Sequence, residues 1–379
     1  MKTCLLIGCG AEIGANLLLL NDPTQDGFFI STVITNAPST DKHYPHLLPI
    51  HGIVAKLALA QANALERIKV LSPNQIKIDE NVVNFVFSNI AKDDINELGR
   101  FDFAVIATSK SDILPESAVA QKVRKVAPIV LGVAEADALP SIYGCLIDLS
   151  HELLPSVAPT EVSSGMFCLG SCQSNGMHAS LRVLLEALAS HGKDATAILS
   201  VQTDIVHPDT PNGVLGTRSF EGRMQDARNN LRPSFSQIVQ SRRKVLPWAD
   251  MLNTVSLRAP VQAPGYQINR FVISDQGMLL KSDIIDAAAK VHEHYPYIAM
   301  ATDLPLGSRA YGYQPRCGSL VADDKHLLIN RPSYLSKQGL SEVIVQSYVS
   351  NTIGYSAVVL ATLRTLSAGK KVSVFEGVC

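Results

Sequence analysis

The sequence predicts an α/β protein in two parts. The first is a Rossmann-type doubly wound nucleotide-binding domain; the second is an α+β domain on an antiparallel or mixed sheet. Three observations predict this. Short apolar β-rich runs alternate with helical patterns through the first half, a glycine turn follows the first of these runs, and the second half carries longer strands with few helices between them. A length of 379 residues suits about two domains.

In chain order, "TCLLIG" reads as an apolar strand, followed by a glycine turn and the helix "GANLLLLND". "FFISTVITN" is a second strand, "VVNFVFSNI" a strand of a hairpin or insert, and "FDFAVIATS" another core strand. "ESAVAQKVRKV" is a helix and "APIVLGVA" a further buried strand. Continuous β-branched runs separated by helices point to a parallel sheet covered on both faces. "MHASLRVLLEALASHG" then reads as a helix. The second half follows with "ATAILSVQTDIV", "NTVSLRAPV", "YQINRFVIS", "HLLINR" and "SEVIVQSYV" as strands, and "KSDIIDAAAKVHEHY" as the clear intervening helix. "NTIGYSAVVLATLRTLSAG" closes the chain as an amphipathic helix stopped by glycine.

With 46% hydrophobic residues, 18% charged residues and a net charge of −1, the chain has the composition of a soluble, well-cored protein. That charge makes no electrostatic case for nucleic acid or an anionic membrane. Gly8, Gly10, Glu12 and Gly14 break up the apolar opening that would otherwise read as a secretory leader. No apolar run reaches the roughly eighteen residues that span a bilayer. The seven cysteines are scattered, with neither CxxC nor a Cys/His metal spacing, so no metal site and a reducing cytoplasmic setting are expected.

"LLIGCGAEIG" places Gly8, Gly10 and Gly14 between a strand and a helix. Glycines there let backbone approach a pyrophosphate, and the helix start supplies N–H groups and a positive dipole end. After the second strand, where a carboxylate would grip the ribose of NAD, stand Asn36 and Ala37. Their neutrality, with Ser39, Thr40 and Lys42 nearby, favours NADP; Asp41 taking the carboxylate's place would favour NAD.

In "SCQSNG", Cys172 precedes a helical run. A cysteine at a helix N-terminus gains thiolate stability from the dipole and the unpaired N–H groups. A buried free cysteine with no chemistry is the common alternative. His178 shares the helix but points to another face. His207 ends the strand "SVQTDIVH" just before a loop and is the better base.

"SCQSNG" resembles the S-C-T-T-N-C active-site stretch of the glyceraldehyde-3-phosphate dehydrogenase family, and the resemblance runs along the chain in order. "PHLLPIHG" sits where that family has "YDSTHG", and "CLIDLSHELL" resembles "GVNHEKY". "DIVHPDT" resembles "TVHAYT", "NNLRPSFSQIV" resembles "QNIIPASTGAA", "VSLRAPV" resembles "MAFRVPT", and "SNTIGYSAVVL" resembles "DNEFGYSNRVV". The resemblance implies that Cys172 attacks an aldehyde to form a thiohemiacetal, with His207 as its base and the Cys172 N–H helping to hold the oxyanion. Hydride then passes to a nicotinamide, leaving a thioacyl-enzyme. It implies that Asn351 holds the nicotinamide carboxamide and that Tyr355 lies beside the ring. Arg258 and Thr210 match a substrate-phosphate site, and Arg223 and Ser171 match parts of an inorganic-phosphate site.

The chain departs from the family at Gln173, which replaces a threonine, and at Phe235-Ser236-Gln237, which replaces S-T-G. Ser236 and Gln173 are therefore the residues expected to reshape the acceptor site. Arg218, Arg228 and Arg232 read as solvated charges. The resemblance implies a dinucleotide-binding domain of 1–171 with 352–379 and a catalytic domain of 172–351, a homo-oligomer (tetramer or dimer), a small phosphorylated or anionic aldehyde as substrate, and inorganic phosphate as one candidate acceptor. Two alternatives stay open. One is a non-phosphorylating dehydrogenase, or a reductase of an acyl thioester or acyl phosphate. The other is a catalytically silent nucleotide-binding regulator or scaffold.

Overall fold

The computed structural model describes the chain except for residues 39–42, 62, 209–230, 252–253, 262–263, 302–315, 323–324 and 378–379. It is an α/β protein with mixed sheets, and the chain forms two compact units. One comprises Met1–Asp148, Pro159–Gly170 and Ser356–Cys379; the other comprises Leu149–Ala158 and Ser171–Tyr355. The short piece Leu149–Ala158 sorts with the second unit because its polar groups pair there. The Leu153 carbonyl accepts from the Ala195 N–H, and the Ser156 hydroxyl donates to the Val245 carbonyl.

The first unit contains β1 (Lys2–Ile7), α1 (Glu12–Leu20), α2 (Pro23–Asp26), β2 (Phe28–Thr35), α3 (Pro49–Ala60), α4 (Ala64–Arg67), β3 (Ile68–Ser72), β4 (Gln75–Ile78) and β5 (Asn81–Phe87). There follow β6 (Phe103–Ile106), α5 (Ala118–Val126), β7 (Ile129–Gly132), the short β8 (Ala158–Thr160) and β9 (Gly165–Cys168). Its sheet has the order β3-β4-β5-β2-β1-β6-β7-β9. From β5 to β9 every neighbouring pair is parallel, while β3, β4 and β5 form an antiparallel meander at one edge. The "VVNFVFSNI" segment thus belongs to both arrangements. All four residues of β6 and of β7 are buried, as expected of strands covered on both faces. Their core includes Leu5, Ile7, Ile34, Ile106 and Val130.

The second unit begins with α6 (Cys172–Ala189), then β10 (Ile198–Pro208), β11 (Arg232–Ser234), α7 (Ile238–Val245), β12 (Asp250–Met251), β13 (Val255–Ala259), β14 (Gly265–Ser274) and α8 (Lys281–His294). It continues through β15 (Ile298–Ala301), β16 (Ser319–Ala322), β17 (Leu328–Asn330), α9 (Ser333–Ser336) and β18 (Leu340–Val349). The main path of this sheet runs β11-β13-β10-β14-β18-β16-β15, with parallel pairing at β10/β13 and β15/β16 and antiparallel pairing elsewhere along it. Strand β14 alternates buried and half-buried residues along its whole length, which is the signature of one covered face. Helix α6 packs on that face, and its residues from Ser174 to Leu185 are all buried.

Helix α7 is an element that the sequence hid. Its buried Ile238, Ser241 and Val245 recur at helical spacing, but three consecutive basic residues mask the pattern. Cys145 sits in a buried 3-10 turn, Gly144–Leu146. The closing helix α10 (Ile353–Ser367) is followed by a further short strand, β19 (Val372–Val374).

Candidate functional site

In the first unit a cleft of about 480 Å³ opens at the carboxyl ends of β1, β2 and β6, lined among others by Gly8, Gly10, Asn36, Ala37, Lys56 and Thr108. The glycine loop is shaped by contacts that exclude side chains. Gly8 has φ +91°, and a Cβ there would lie 2.5 Å from Thr108 Cγ2. At Gly14 a Cβ would lie 1.9 Å from the Gly8 carbonyl oxygen, so α1 packs directly on the loop. Asn36 and Ala37 are exposed at the end of β2. Ser39, Thr40, Asp41 and Lys42 lie outside the described residues.

Lys56, on α3, is a cleft residue that sequence reasoning missed. Its ammonium donates to the Gly10 carbonyl at 3.3 Å. Its charge pulls down the thiol of Cys9, although burial dominates and pushes that group up to about 12. A cation beside a glycine loop complements an anion lying on it. Nothing local marks Lys56, because a single lysine in an apolar helix is ordinary; only the fold brings it to Gly10.

In the second unit Cys172 is the first residue of α6. Ser171 is its N-cap: its hydroxyl accepts from the Ser174 N–H at 3.1 Å, and Asn175 Nδ2 donates to the Ser171 carbonyl at 2.9 Å. Ser171 therefore shapes the helix start. Burial pushes the Cys172 thiol up to about 11, against the Gln173 N–H, the Arg258 charge, its own N–H and the Gln173 side chain, all of which pull it down. The helix-end donors act in the predicted direction, but burial outweighs them, so the expected low-pKa thiol is a neutral one at rest.

The start of α6 is held from beneath. Gln267 on β14 is fully buried and donates from Nε2 to the Gln173 carbonyl at 3.2 Å. Gly176 makes room for it, since a Cβ there would lie 2.3 Å from Gln267 Oε1 and 2.4 Å from Val349 Cγ2. His178 points elsewhere, as expected, with Nε2 2.6 Å from the Ser241 hydroxyl of α7.

Strand register aligns the other charged residues. Arg232 on β11 faces Arg258 on β13, which faces His207 on β10, so three residues form one row across three strands. Arg232 is thus a strand residue directly opposite a second arginine, not the solvated loop charge the sequence suggested. Arg258 donates from Nη1 to the Pro208 carbonyl at 2.8 Å and from Nε to the Ser234 hydroxyl at 3.3 Å, and Nη1 also contacts His207 Nδ1. His207 Nδ1 lies 2.7 Å from that same Pro208 carbonyl.

Beside this row is a cavity of about 270 Å³ lined by Gln173, His207, Phe235, Ser236, Gln237, Ser256 and Arg258. It brings together Gln173, Ser236, Arg258 and His207 from four separate sequence segments. A narrow crevice, also walled by Gln173 and His207, includes Gln267 and Asn351. The Oδ1 atoms of Asn351 and the Oε1 of Gln267 are buried without a hydrogen-bond partner among the described residues, and both accept only. Tyr355 is buried near the start of α10 and lines neither cavity. Thr210 and Arg223 lie outside the described residues.

No protein-family model matches the chain, and no curated protein matches it. Among the described residues, no helix is long and apolar enough to cross a membrane.

Proposed function

We propose that this protein is an NAD(P)-dependent aldehyde dehydrogenase of the glyceraldehyde-3-phosphate dehydrogenase type, with Cys172 as nucleophile and His207 as base. The observation that carries the proposal is the meeting of Gln173, His207, Ser236 and Arg258 around one cavity, next to a cysteine at the head of a buried helix. Those are the parts an anionic aldehyde needs: a nucleophile, a proton acceptor and a guanidinium for the anion.

The first unit is read as a Rossmann-type domain binding NADP or NAD. Its parallel strands follow the order third, second, first, fourth, fifth, sixth, with the cleft where that order reverses. The residues fit the cofactor. Gly8 and Gly14 leave a cradle that a Cβ would fill, and Lys56 supplies a cation. When bound, the nicotinamide accepts a hydride. Neutral Asn36 and Ala37 at the end of β2 favour NADP.

On this reading His207 takes the Cys172 proton as sulfur attacks the carbonyl carbon. The N–H groups at the start of α6 then face the oxyanion that forms. Arg258 holds the substrate's anionic group. Gln173 narrows the acceptor side, so phosphate, water or another nucleophile completes the cycle. Six free cysteines among the described residues support a reducing, cytoplasmic setting. A homo-oligomer and a small-molecule aldehyde remain part of the proposal.

The test is reduction of NAD and NADP by a panel of phosphorylated and plain aldehydes, each with and without inorganic phosphate. The expected result is turnover of an anionic aldehyde that Cys172→Ala abolishes. Turnover surviving that substitution refutes the mechanism, and no turnover with any aldehyde, in a chain that still binds a dinucleotide, favours a regulator. Rates independent of phosphate mark a non-phosphorylating enzyme.

A further inference from the structure

We propose that Arg258 is a positioning residue that sets which imidazole nitrogen of His207 carries the proton, and that an oxyanion bound in the Arg258 cavity releases His207 to act as a base. The inference rests on the reading of Cys172 and His207 as a nucleophile–base pair.

The geometry around Nδ1 is an incompatible pair of demands. The Pro208 carbonyl oxygen, 2.7 Å from Nδ1, only accepts, so that approach suits a protonated Nδ1. The Arg258 guanidinium, which contacts the same atom, only donates, so that contact suits a bare Nδ1. One nitrogen cannot satisfy both. Arg258 Nη1 also donates to the Pro208 carbonyl at 2.8 Å, so that oxygen has a donor without any proton on Nδ1. The resting arrangement therefore has the Nδ1 lone pair facing Arg258 and the proton on Nε2. An imidazole in that form has no lone pair on Nε2 with which to take a proton.

An oxyanion changes the balance. Arg258 lines the cavity with Ser236, Ser256 and Gln173, and a guanidinium facing an oxyanion gains charge–charge attraction and paired N–H···O bonds that a neutral imidazole or carbonyl acceptor does not offer. Like charges directly opposite on a sheet repel, and Arg232 occupies the register position opposite Arg258, so an anion there also relieves that pairing. Once the guanidinium turns to the anion, Nδ1 and the Pro208 carbonyl are left facing each other. The imidazole proton leaves Nε2 for solvent and solvent returns one to Nδ1, so the ring stays neutral. Nδ1–H then donates to Pro208, and Nε2 presents its lone pair. In this scheme the substrate's own anion switches on the base, so the neutral thiol at rest meets an acceptor only when the site is filled.

The experiment is ¹⁵N-histidine NMR of the full-length protein titrated with inorganic phosphate, with His207 assigned from the His207→Gln spectrum. Without phosphate, His207 is expected as the Nε2–H tautomer, moving to Nδ1–H as phosphate saturates. Arg258→Gln is expected to show Nδ1–H from the start and no response to phosphate. The wild-type titration stands even where that variant misfolds. In parallel, alkylation of Cys172 by iodoacetamide is expected to quicken about tenfold with phosphate, as for one pKa unit of added thiolate. An Nδ1–H tautomer before phosphate, an Nε2–H tautomer persisting at saturation, or no phosphate binding overturns the coupling. A tautomer switch with Cys172 still as slow as buried Cys317 upholds the coupling and instead refutes the nucleophile reading. Cys172-dependent turnover with a fixed tautomer does the reverse.

Discussion

Cys172 is a cysteine whose surroundings pull both ways. Burial raises its pKa to about 11 against the groups that pull it down, while burial raises Cys317 to about 12. The sign is the same at both, since burial penalises the thiolate. Alkylation of the ligand-free protein should therefore rise with pH through the range 7 to 10 without a plateau. At pH 7 Cys172 should react about a hundredfold more slowly than an ordinary thiol some two pKa units below it. Quantitative mass spectrometry of each cysteine after timed iodoacetamide exposure checks this. A plateau near pH 7 would mean that the thiol is already ionised at rest. At this scale the sequence was informative about residue type and poor about environment. The helix start of Cys172 and the three glycines were legible because capping and backbone approach leave local marks. Lys56, Gln267 and the pairing of Arg232 with Arg258 were not, because each depends on which strand or helix lies alongside.

At the scale of elements, the junction of α6 with α7 stores a pH dependence. His178 is fully buried, and burial pushes its pKa down to about 3. Unfolded, it titrates near 6.5. Between those values the unfolded chain binds the proton and the folded chain does not, so stability rises with pH across that window and falls as pH drops below about 6.5. The limiting slope for this one group is about 1.4 kcal/mol per pH unit. Urea midpoints measured from pH 7 to pH 4.5 should fall for the wild type and fall less steeply for His178→Gln. Equal slopes in the two proteins would mean that His178 charges in the folded state. Asp275, between β14 and α8, works in the same direction at lower pH. Burial raises its pKa, but hydrogen bonds from Ser341, the Gly277 N–H, Arg331 and the Leu279 N–H overcome this and leave it lowered. Its contribution is present above the ordinary carboxylate range and is lost as pH falls through the folded value. The buried strands and the long helices were readable from apolar pattern alone. Helix α7 escaped because its basic run hid the buried stripe on which His178 rests.

At the scale of the whole molecule, the chain passes between units after Asp148, Ala158, Gly170 and Tyr355. Neither unit is a continuous stretch of sequence: the first has three pieces and the second has two. The C-terminal piece is structural in the first unit. Arg364 pairs with the carboxylate of Asp26 at 2.6 Å, and that carboxylate is almost wholly buried. The Ser373 N–H donates to the Ile147 carbonyl at 2.6 Å, and the Phe375 and Ser141 backbones bond to each other. A Cβ on Gly144 would lie 2.4 Å from Val358 Cγ1, so α10 packs against the turn at Gly144. Among the described residues, deleting this segment leaves the Asp26 carboxylate with only the Asn21 amide and the Asp22 N–H. It also removes the backbone partners of Ile147 and Ser141 and takes away the face of α10 that covers Gly144; each buried hydrogen bond left unmade costs about 1–3 kcal/mol. Against a domain stability of about 5–15 kcal/mol, that loss is decisive. A fragment of residues 1–170 should therefore lack a cooperative thermal transition and should show no stabilisation by NADP. The same fragment with residues 356–379 joined to its end through a flexible linker should regain both. Calorimetry of the two fragments, with and without the dinucleotide, checks the claim. A cooperative transition in the shorter fragment would show that the first unit's core closes without α10, and that the Asp26 carboxylate finds its compensation elsewhere.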